Sequence, residues 1–303
     1  MAATPHEREP APVDADEAQS HRGDLPQRLW APWRMRYVAG GLRESGCIFC
    51  NRLAENDDVR TLILHRGDRA FVIMNLFPYN TGHVMIVPNA HVSSPEDADA
   101  EMLAEMTALR APVLRALRRA MAPEGFNLGM NVGAVAGAGV ADHLHEHIVP
   151  RWGGDANFMP ILAATTVMPE LIPVTYAKLR AELGRELHGA NRLTSLVLTA
   201  DRMRALADAG GHQLCVAASV GEPLWRAALR DIHDRGAVHA ELAGWAGSTR
   251  ADPGDPTLLF TATFPSAAAA PANHRFVDLA VLLSDLDDDA RAAVEQFSSE
   301  TAP

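Results

Sequence analysis

Hydrophobic residues in the first two thirds of the chain follow two periods, one typical of strands and one typical of helices. Residues 70–75 and 82–88 are apolar runs of strand length, and the turn-forming segment 77–81 separates them, so we predict an antiparallel pair. Leucine, methionine and valine recur at helical spacing over residues 95–122, which predicts a long amphipathic helix. The other elements predicted for this part are strands at 126–132 and 142–150 and a helix at 171–187.

The pattern changes near residue 190, and the shorter alternating elements after it predict a small α/β domain of unknown type. These elements are strands at 195–199, 213–219, 258–264 and 276–283, helices at 201–209 and 222–235, and a last acidic helix. Residues 1–25 mix Pro, Asp, Glu and Ala without a period, as a disordered extension does. We therefore predict three parts, an extension at 1–25, a domain at 26–190 and an acidic accessory domain at 191–303 whose function is unknown.

Charge and composition exclude several classes of protein. The 303 residues carry a net charge of −11, and residues 193–303 hold 15 acidic side chains against 8 arginines and no lysine. Such a surface is not built to bind nucleic-acid backbone. No run approaches the roughly 18 apolar residues of a membrane helix, and residues 1–25 lack the apolar region of a signal peptide. Three cysteines cannot build a disulfide framework, which favours a cytoplasmic location. Together with the charge and the lack of a membrane helix, this predicts a protein without nucleic-acid or membrane partners.

The strongest chemical signal is a run of alternating histidines, His143, His145 and His147. In a strand, residues two apart point to the same face, so the three rings form one column while the residues between them face the other way. Neighbouring imidazoles do not all carry a charge, so at least one is expected to be neutral near pH 7 and available as a nucleophile or ligand. A single strand histidine is usually structural, whereas three alternating ones indicate catalysis or metal binding.

A glycine-rich loop, residues 133–139, precedes these histidines. Gly137 and Gly139 allow the backbone to approach a ligand closely and to present several N–H groups to one anion. Loops of this composition are often plain turns, but next to the histidine column this one predicts a bound phosphate beside a nucleophile.

These features resemble the histidine triad family, whose signature is His-x-His-x-His followed by two apolar residues. The signature matches residues 143–149, and the resemblance extends over about residues 29–187. Residues 136–139 and 153–158 are most similar to the bacterial branch that includes diadenosine tetraphosphate phosphorylases. The resemblance implies an α+β fold, an antiparallel sheet with flanking helices that commonly pairs into a homodimer. It explains nothing in residues 193–303.

The resemblance also implies roles for individual residues. His145 would be the nucleophile that attacks the α-phosphorus of a nucleotide, and His147 would donate a hydrogen bond to the leaving group or to the oxygen that gains charge. Asn75 matches the position that contacts the ribose, and Asn131 matches one that touches phosphate or orients the nucleophile. For both asparagines, a role in capping a turn or a strand end is the alternative.

Cys47 and Cys50 form a Cys-x-x-Cys knuckle, and with His91 and His143 they provide the four ligands of a closed zinc site. Some members of the family bind zinc at matching positions. The alternative is a reduced, metal-free pair of thiols. A redox role is less favoured, since no thioredoxin-like βαβ pattern surrounds the motif.

The function predicted from these residues is nucleotidyl transfer or hydrolysis of a dinucleoside polyphosphate through a covalent nucleotidyl-histidine, with zinc as a structural cofactor. The motif leaves open whether phosphate or water accepts the nucleotide. Many family members have Gln-Ser or Gln-Thr where this chain has Ala138 and Gly139, so phosphate must be held mainly by backbone N–H groups, Asn131 and the histidines. The alternatives are hydrolysis of a nucleoside phosphoramidate or mononucleotide ester, and a nucleotide-binding regulatory or scaffold protein.

Overall fold

The computed structural model describes residues 45–155, 170–189, 191–237, 239–248, 256–264 and 270–284, and positions 286, 288, 291, 294 and 295. The extension predicted at 1–25 lies outside the described residues, and so does part of the segment 153–158. Within the described part of the chain, no helix has both the length and the apolar character that crossing a bilayer requires.

The first structural unit is an antiparallel sheet with flanking helices. Its elements are α1 Ile48–Ala54, α2 Asp58–Thr61, β1 Ile63–Arg66, β2 Ala70–Met74, β3 Val84–Pro88, α3 Ala100–Met121, β4 Gly125–Met130, β5 Glu146–Arg151 and α4 Ile172–His188. The strands follow the order β1-β2-β3-β5-β4, and every neighbouring pair is antiparallel. The predicted pairing of β2 with β3 is confirmed, with Ala70 opposite Pro88. The α+β fold implied by the resemblance is therefore confirmed.

Helix α3 covers one face of this sheet and forms a core with it. Met106, Val113 and Leu117 of α3 are buried with Val72 and Ile86 of the sheet. The helix was predicted from residue 95, but residues 95–97 form a separate 3₁₀ turn. A side-chain oxygen of Asp99 accepts the backbone N–H of Met102, and this cap makes the α-helix begin at Ala100.

The strand that carries the histidines is shorter than predicted. We expected a strand over 142–150, but β5 begins at Glu146, so His143 and His145 precede it. Pairing of β5 with β3 stops at Ile86 opposite Glu146. Continuing it would bring Pro88 into the ladder, and proline has no N–H to donate. The chain before Glu146 therefore does not pair with β3, and the ring of His143 contacts Cys47 and His91.

The second unit is a six-stranded mixed sheet. Its elements are β6 Arg192–Leu198, β7 Arg204–Asp208, β8 Leu214–Ala217, α5 Leu224–Asp234, β9 Glu241–Ser248, β10 Pro256–Thr261, β11 His274–Asp278 and α6 Leu279–Leu283. The order is β11-β7-β6-β10-β9, and β8 also pairs with β6. Strands β6 and β10 are parallel and the other pairs are antiparallel. A second sheet unit in the C-terminal region confirms the predicted α/β character.

Three elements of this unit differ from the prediction. The segment 201–209 was predicted as a helix, but residues 204–208 form β7. Alanine and leucine favour a helix locally, yet pairing of this segment with β11, with Ala205 opposite Val277, overrides the propensity. The segment 276–283 was predicted as one strand, but β11 ends at Asp278 and α6 follows. Strand β9 was not predicted, because its glycines and alanines obscure the alternation.

Helix α4 belongs to the cores of both units. Its Tyr176, Leu179 and Leu183 are buried against α3 and the first sheet. Its Ala177 and Ala181 are buried in the core of the second unit, and their small side chains let the second sheet approach closely. The helix predicted at 171–187 is therefore confirmed, and it joins the two units through opposite faces.

Glu182 of α4 is fully buried at this junction. One of its oxygens accepts the N–H of Leu224 at the start of α5 at 2.6 Å, and the other accepts Nε of Arg119 on α3 at 2.9 Å. Replacing Glu182 with alanine is expected to destabilise the chain by about 3 kcal/mol, because the Leu224 N–H at the start of α5 loses its buried acceptor and Arg119 keeps only Glu186, among the described residues, as a carboxylate partner. Chemical denaturation measures this, with Glu101→Ala, which removes an exposed partner of Arg69 outside the junction, as the control. Equal effects of the two variants would contradict the junction role of Glu182.

Candidate active site

The histidine run only partly forms the predicted column, because His143 and His145 precede β5 and the ring of His143 contacts Cys47 and His91. Leu144 and Ile148 are buried, and Ile148 packs in the core beneath α3. Glu146 points to the same side, where its Oε2 accepts Nε of Arg110 of α3 at 2.9 Å. The rings of His145 and His147 are neighbours on the other face, with 4.8 Å between their centroids. That face, which α3 does not cover, is where the site lies.

His145 is held as a neutral ring with one nitrogen free to react. Its Nδ1 lies 2.8 Å from the backbone carbonyl of His143, and because a carbonyl only accepts, Nδ1 carries the proton. Nε2 therefore keeps its lone pair. The ring is 4% exposed, and this burial lowers the pKa of His145 from its ordinary value. A buried neutral imidazole with an unprotonated Nε2 is a nucleophile at neutral pH.

His147 is held in the opposite tautomer by a chain of hydrogen bonds. The N–H of Tyr79 donates to Nδ1 of His83 at 3.1 Å, so the proton of a neutral His83 lies on Nε2. That nitrogen is 2.9 Å from Nδ1 of His147, which then accepts, and the proton of His147 lies on its own Nε2. Burial and, to a lesser degree, His145 lower the pKa of His147 to about 4. The site thus pairs a free lone pair on His145 with an N–H donor on His147.

His83 is a functional residue that the sequence analysis missed. It is fully buried, and it joins the turn after β2 to the ring of His147. The available signal was a histidine within an otherwise apolar strand pattern, at residues 82–88. Its partner is 64 residues away, and only the pairing of β3 with β5 brings the two together.

The two asparagines lie in different surroundings. Asn75 sits in the turn after β2, where its Oδ1 accepts the N–H of Phe77 and its Nδ2 is 3.3 Å from Nδ1 of His83. The structure therefore places Asn75 in the turn and in contact with His83, and its contact with a ribose stays a prediction. Asn131 follows β4 and lines, with His147, a groove of about 470 Å³.

The glycine-rich loop is open to solvent beside the histidines. Gly137 has a φ of +87° and is exposed, and Gly139 is exposed as well. A Cβ built at either position would meet no atom within 4 Å. No described side chain therefore blocks the approach of a ligand to this backbone, and its role in binding phosphate stays a prediction.

Cys47, Cys50, His91 and His143 come together from three separate parts of the chain. Their four ligand atoms all lie within 4.8 Å of one another. Nδ1 of His143 is 3.2 Å from Sγ of Cys47 and 3.2 Å from Nδ1 of His91. Tetrahedral ligands at the usual zinc distances are about 3.3–3.8 Å apart, so the spacing fits a metal ion. Nε2–H of His143 donates to the carbonyl of Pro88 at 2.9 Å, which directs the Nδ1 lone pair towards the cluster.

The cluster of Cys47, Cys50, His91 and His143 lies next to His145. The ring of Phe49, on α1 between the two cysteines, is 5.4 Å from His143 and 5.1 Å from His145. The backbone carbonyl of His143 also orients the ring of His145. A metal ion held by these four residues would fasten α1 to the segment that carries the nucleophile.

Comparison with known proteins identifies a family model and two named relatives that match this chain. The HIT domain family model matches residues 56–154. The AP-4-A phosphorylase of Mycobacterium tuberculosis is 38% identical over 170 residues, which cover 54% of this chain and 87% of that protein. The adenylylsulfatase HINT3 of Arabidopsis thaliana is 31% identical over 114 residues, covering 38% of this chain and 56% of that protein. Both of these relatives are named as enzymes.

A solved structure is also similar to this chain. It is described as a Zn-bound histidine triad family protein from Mycobacterium smegmatis, with 24% identity and a TM-score of 0.40, and the match covers 48% of this chain and 98% of that one. The alternating histidines on the open face of an antiparallel sheet and the extent of the match to the phosphorylase together make this chain a member of the histidine triad family of nucleotide hydrolases and transferases.

Proposed function

We propose that this chain cleaves a dinucleoside polyphosphate by transferring a nucleotidyl group to His145 and then to phosphate or water. The observation that carries the proposal is the pair of opposite tautomers, with a lone pair on Nε2 of His145 and a proton on Nε2 of His147. A nucleophile and a donor side by side are what displacement at phosphorus requires. A protein that only binds nucleotides has no need of this arrangement.

The reaction takes two displacements. In the first, Nε2 of His145 forms a bond to the α-phosphorus while the bond from phosphorus to the leaving oxygen breaks. Nε2–H of His147 keeps its proton and donates a hydrogen bond to that oxygen, which leaves with the bonding electron pair as part of a phosphate anion. In the second, an oxygen of a phosphate anion, or of water that gives its proton to solvent, attacks the same phosphorus, and the N–P bond breaks with its electron pair returning to Nε2 of His145. Both rings return to their starting tautomers.

The substrate class that we propose is supported by a relative most of whose length matches this chain. That protein is an AP-4-A phosphorylase, and the identity of 38% spans 87% of it. The open glycine-rich loop offers backbone N–H groups to a phosphate chain. We therefore propose diadenosine tetraphosphate or a similar compound as substrate, with the acceptor decided by assay.

A quenched reaction tests the covalent step. Stopping a mixture of the protein and diadenosine tetraphosphate in base, where phosphoramidates survive, should give a peptide that carries adenylate on His145 by mass spectrometry. Assays with and without added phosphate should show which acceptor is used, by the appearance of ADP or AMP. Absence of a modified peptide at every quench time before the substrate is exhausted, in samples that form product, would contradict the covalent mechanism. Turnover of adenosine phosphoramidate in place of the tetraphosphate would favour the alternative hydrolase.

We propose further that Cys47, Cys50, His91 and His143 hold zinc. Two thiolates and two imidazoles are the donor set that closed structural zinc sites use, and the observed spacing fits it. Zinc would supply a fixed cross-link between α1 and the segment before β5. In this proposal zinc takes no part in the chemical step. Phe49 and the backbone carbonyl of His143 position the ring of His145, which carries out the attack.

The division of the chain and its assembly are also proposals. We propose that residues 26–190 carry out the reaction and that residues 191–303 form an accessory domain, because the histidines and the cluster all lie in the first part. A homodimer is supported by β4, an edge strand of the first sheet whose outer backbone edge is available to pair with a second copy while its face beside His147 stays open. A cytoplasmic location stays a prediction that rests on the reduced thiols the cluster needs.

A further inference from the structure

We propose that the groove beside His147 binds the second nucleoside of a dinucleoside polyphosphate, an inference that rests on the proposed function. A dinucleoside substrate has two nucleosides, and only one of them is attached to the phosphorus that His145 attacks. The other leaves with the polyphosphate and needs a place of its own. The groove has a volume of about 470 Å³, within the usual range for small-molecule sites.

The position of the groove matches the path of the leaving group. In sheet register, His147 lies between Met85 on β3 and Gly129 on β4. Met85 belongs to an apolar cluster with Phe49, which contacts His145. Gly129 lines the groove. Because the leaving oxygen departs on the side away from His145 and is met by His147, the departing half of the substrate enters the groove.

Gly129 makes the floor of the groove beside His147. Residues directly opposite in neighbouring strands point to the same face, so a side chain here would stand next to the His147 ring. A Cβ built at Gly129 would meet no atom within 4 Å, and its φ lies outside the left-handed region. The backbone therefore does not require glycine at this position. What glycine provides is the open space.

The charges around the groove favour a nucleoside over a phosphate. Arg151 makes a two-pronged ion pair with Asp155, with N–O distances of 2.6 and 2.8 Å, so the two charges cancel. The guanidinium also donates to Oδ1 of Asn127 at 2.8 Å, so all three side chains are held in place. A rigid wall of polar groups without net charge suits a base or a ribose better than an anionic terminal phosphate.

Tyr79 supplies an aromatic surface at the edge of the same groove. Its ring is 54% exposed and lies parallel to the ring of His147, with 5.7 Å between centroids and 29° between planes. Large exposed aromatic rings beside a nucleotide site are typical stacking platforms for bases. The ring thus stands where the base of the leaving nucleoside would pass.

Binding to a catalytically inactive chain tests this proposal. In a His145→Ala background, the dissociation constants of diadenosine tetraphosphate and of AMP are measured by calorimetry, since AMP fills only the half of the site next to His145. Adding Gly129→Leu should weaken binding of the dinucleotide about tenfold or more and leave AMP within about twofold. Tyr79→Ala should weaken the dinucleotide by about 5- to 100-fold, as loss of one stacked base does, whereas Tyr79→Phe should change neither ligand.

Other results of these binding measurements would overturn either the groove proposal or the proposed function. Equal weakening of both ligands by Gly129→Leu, or no effect on either, would overturn the groove as a nucleoside site. So would a parent chain that binds the dinucleotide no more tightly than AMP. Failure of the parent to bind AMP at all, in a folded protein, would instead remove the proposed function, and the groove proposal with it.

Discussion

Replacing His145 with alanine is expected to lower kcat for dinucleotide cleavage about 10⁴-fold or more while nucleotide binding stays largely intact. The variant loses the only atom that bonds to phosphorus in the proposed mechanism, and loss of a nucleophile removes transition-state stabilisation far more than ground-state contacts. Steady-state kinetics and calorimetric binding of AMP measure the two quantities separately. The ring is buried but small, so its loss should leave the fold in place.

His233→Ala is the matched control for this variant. His233 also donates a ring hydrogen bond to a backbone carbonyl, that of Ala240, but it lies in the second unit. Its replacement should leave kcat within about twofold. A His145→Ala protein that keeps more than a tenth of wild-type kcat would show that His145 is not the nucleophile.

Replacing Cys47 with serine is expected to remove zinc and to lower the melting temperature by about 6–12 °C. Binding to a structural site stabilises only the folded chain, so losing a ligand should lower the free energy of unfolding by on the order of 3 kcal/mol, and each kcal/mol corresponds to about 2–4 °C in a chain of this size. Metal analysis of protein purified without chelators and differential scanning calorimetry measure the two effects. Wild-type protein should contain about one zinc per chain.

Cys215→Ser is the control for the zinc prediction. Cys215 lies on β8 in the second unit, outside the cluster, and is exposed. Its replacement should change neither metal content nor melting temperature. Wild-type protein with well under half a zinc per chain, or a Cys47→Ser variant that keeps both zinc and stability, would leave the four residues as a metal-free cluster.

Much of the first unit could be predicted from the sequence, because its elements are specified locally. The apolar runs of β2 and β3 and the period of α3 depend on neighbouring residues alone. The second unit was harder to predict. The segment that forms β7 has the composition of a helix, and its strand character comes from pairing with β11 about 70 residues later. Propensity fails where a distant partner supplies most of the stabilisation.

The candidate site shows the same division. Alternation of the histidines predicted that they would share one face, and residue chemistry predicted that Cys47 and Cys50 would meet His91 and His143. The structure brings these four together. No sequence pattern indicated that His83 would set the tautomer of His147, or that Gly129 would open a groove beside it.

The sequence by itself determined the family, the order of elements around the histidines and which cysteines and histidines form the cluster, because these depend on residue types at short or characteristic spacings. Only the tertiary structure decided which nitrogen of each ring carries a proton, where β5 begins, and that α4 serves two cores. Those properties depend on atoms that are far apart in the chain and are brought together by strand pairing and helix packing. A proton on an imidazole follows its hydrogen-bond partners, and the fold alone determines which partners those are.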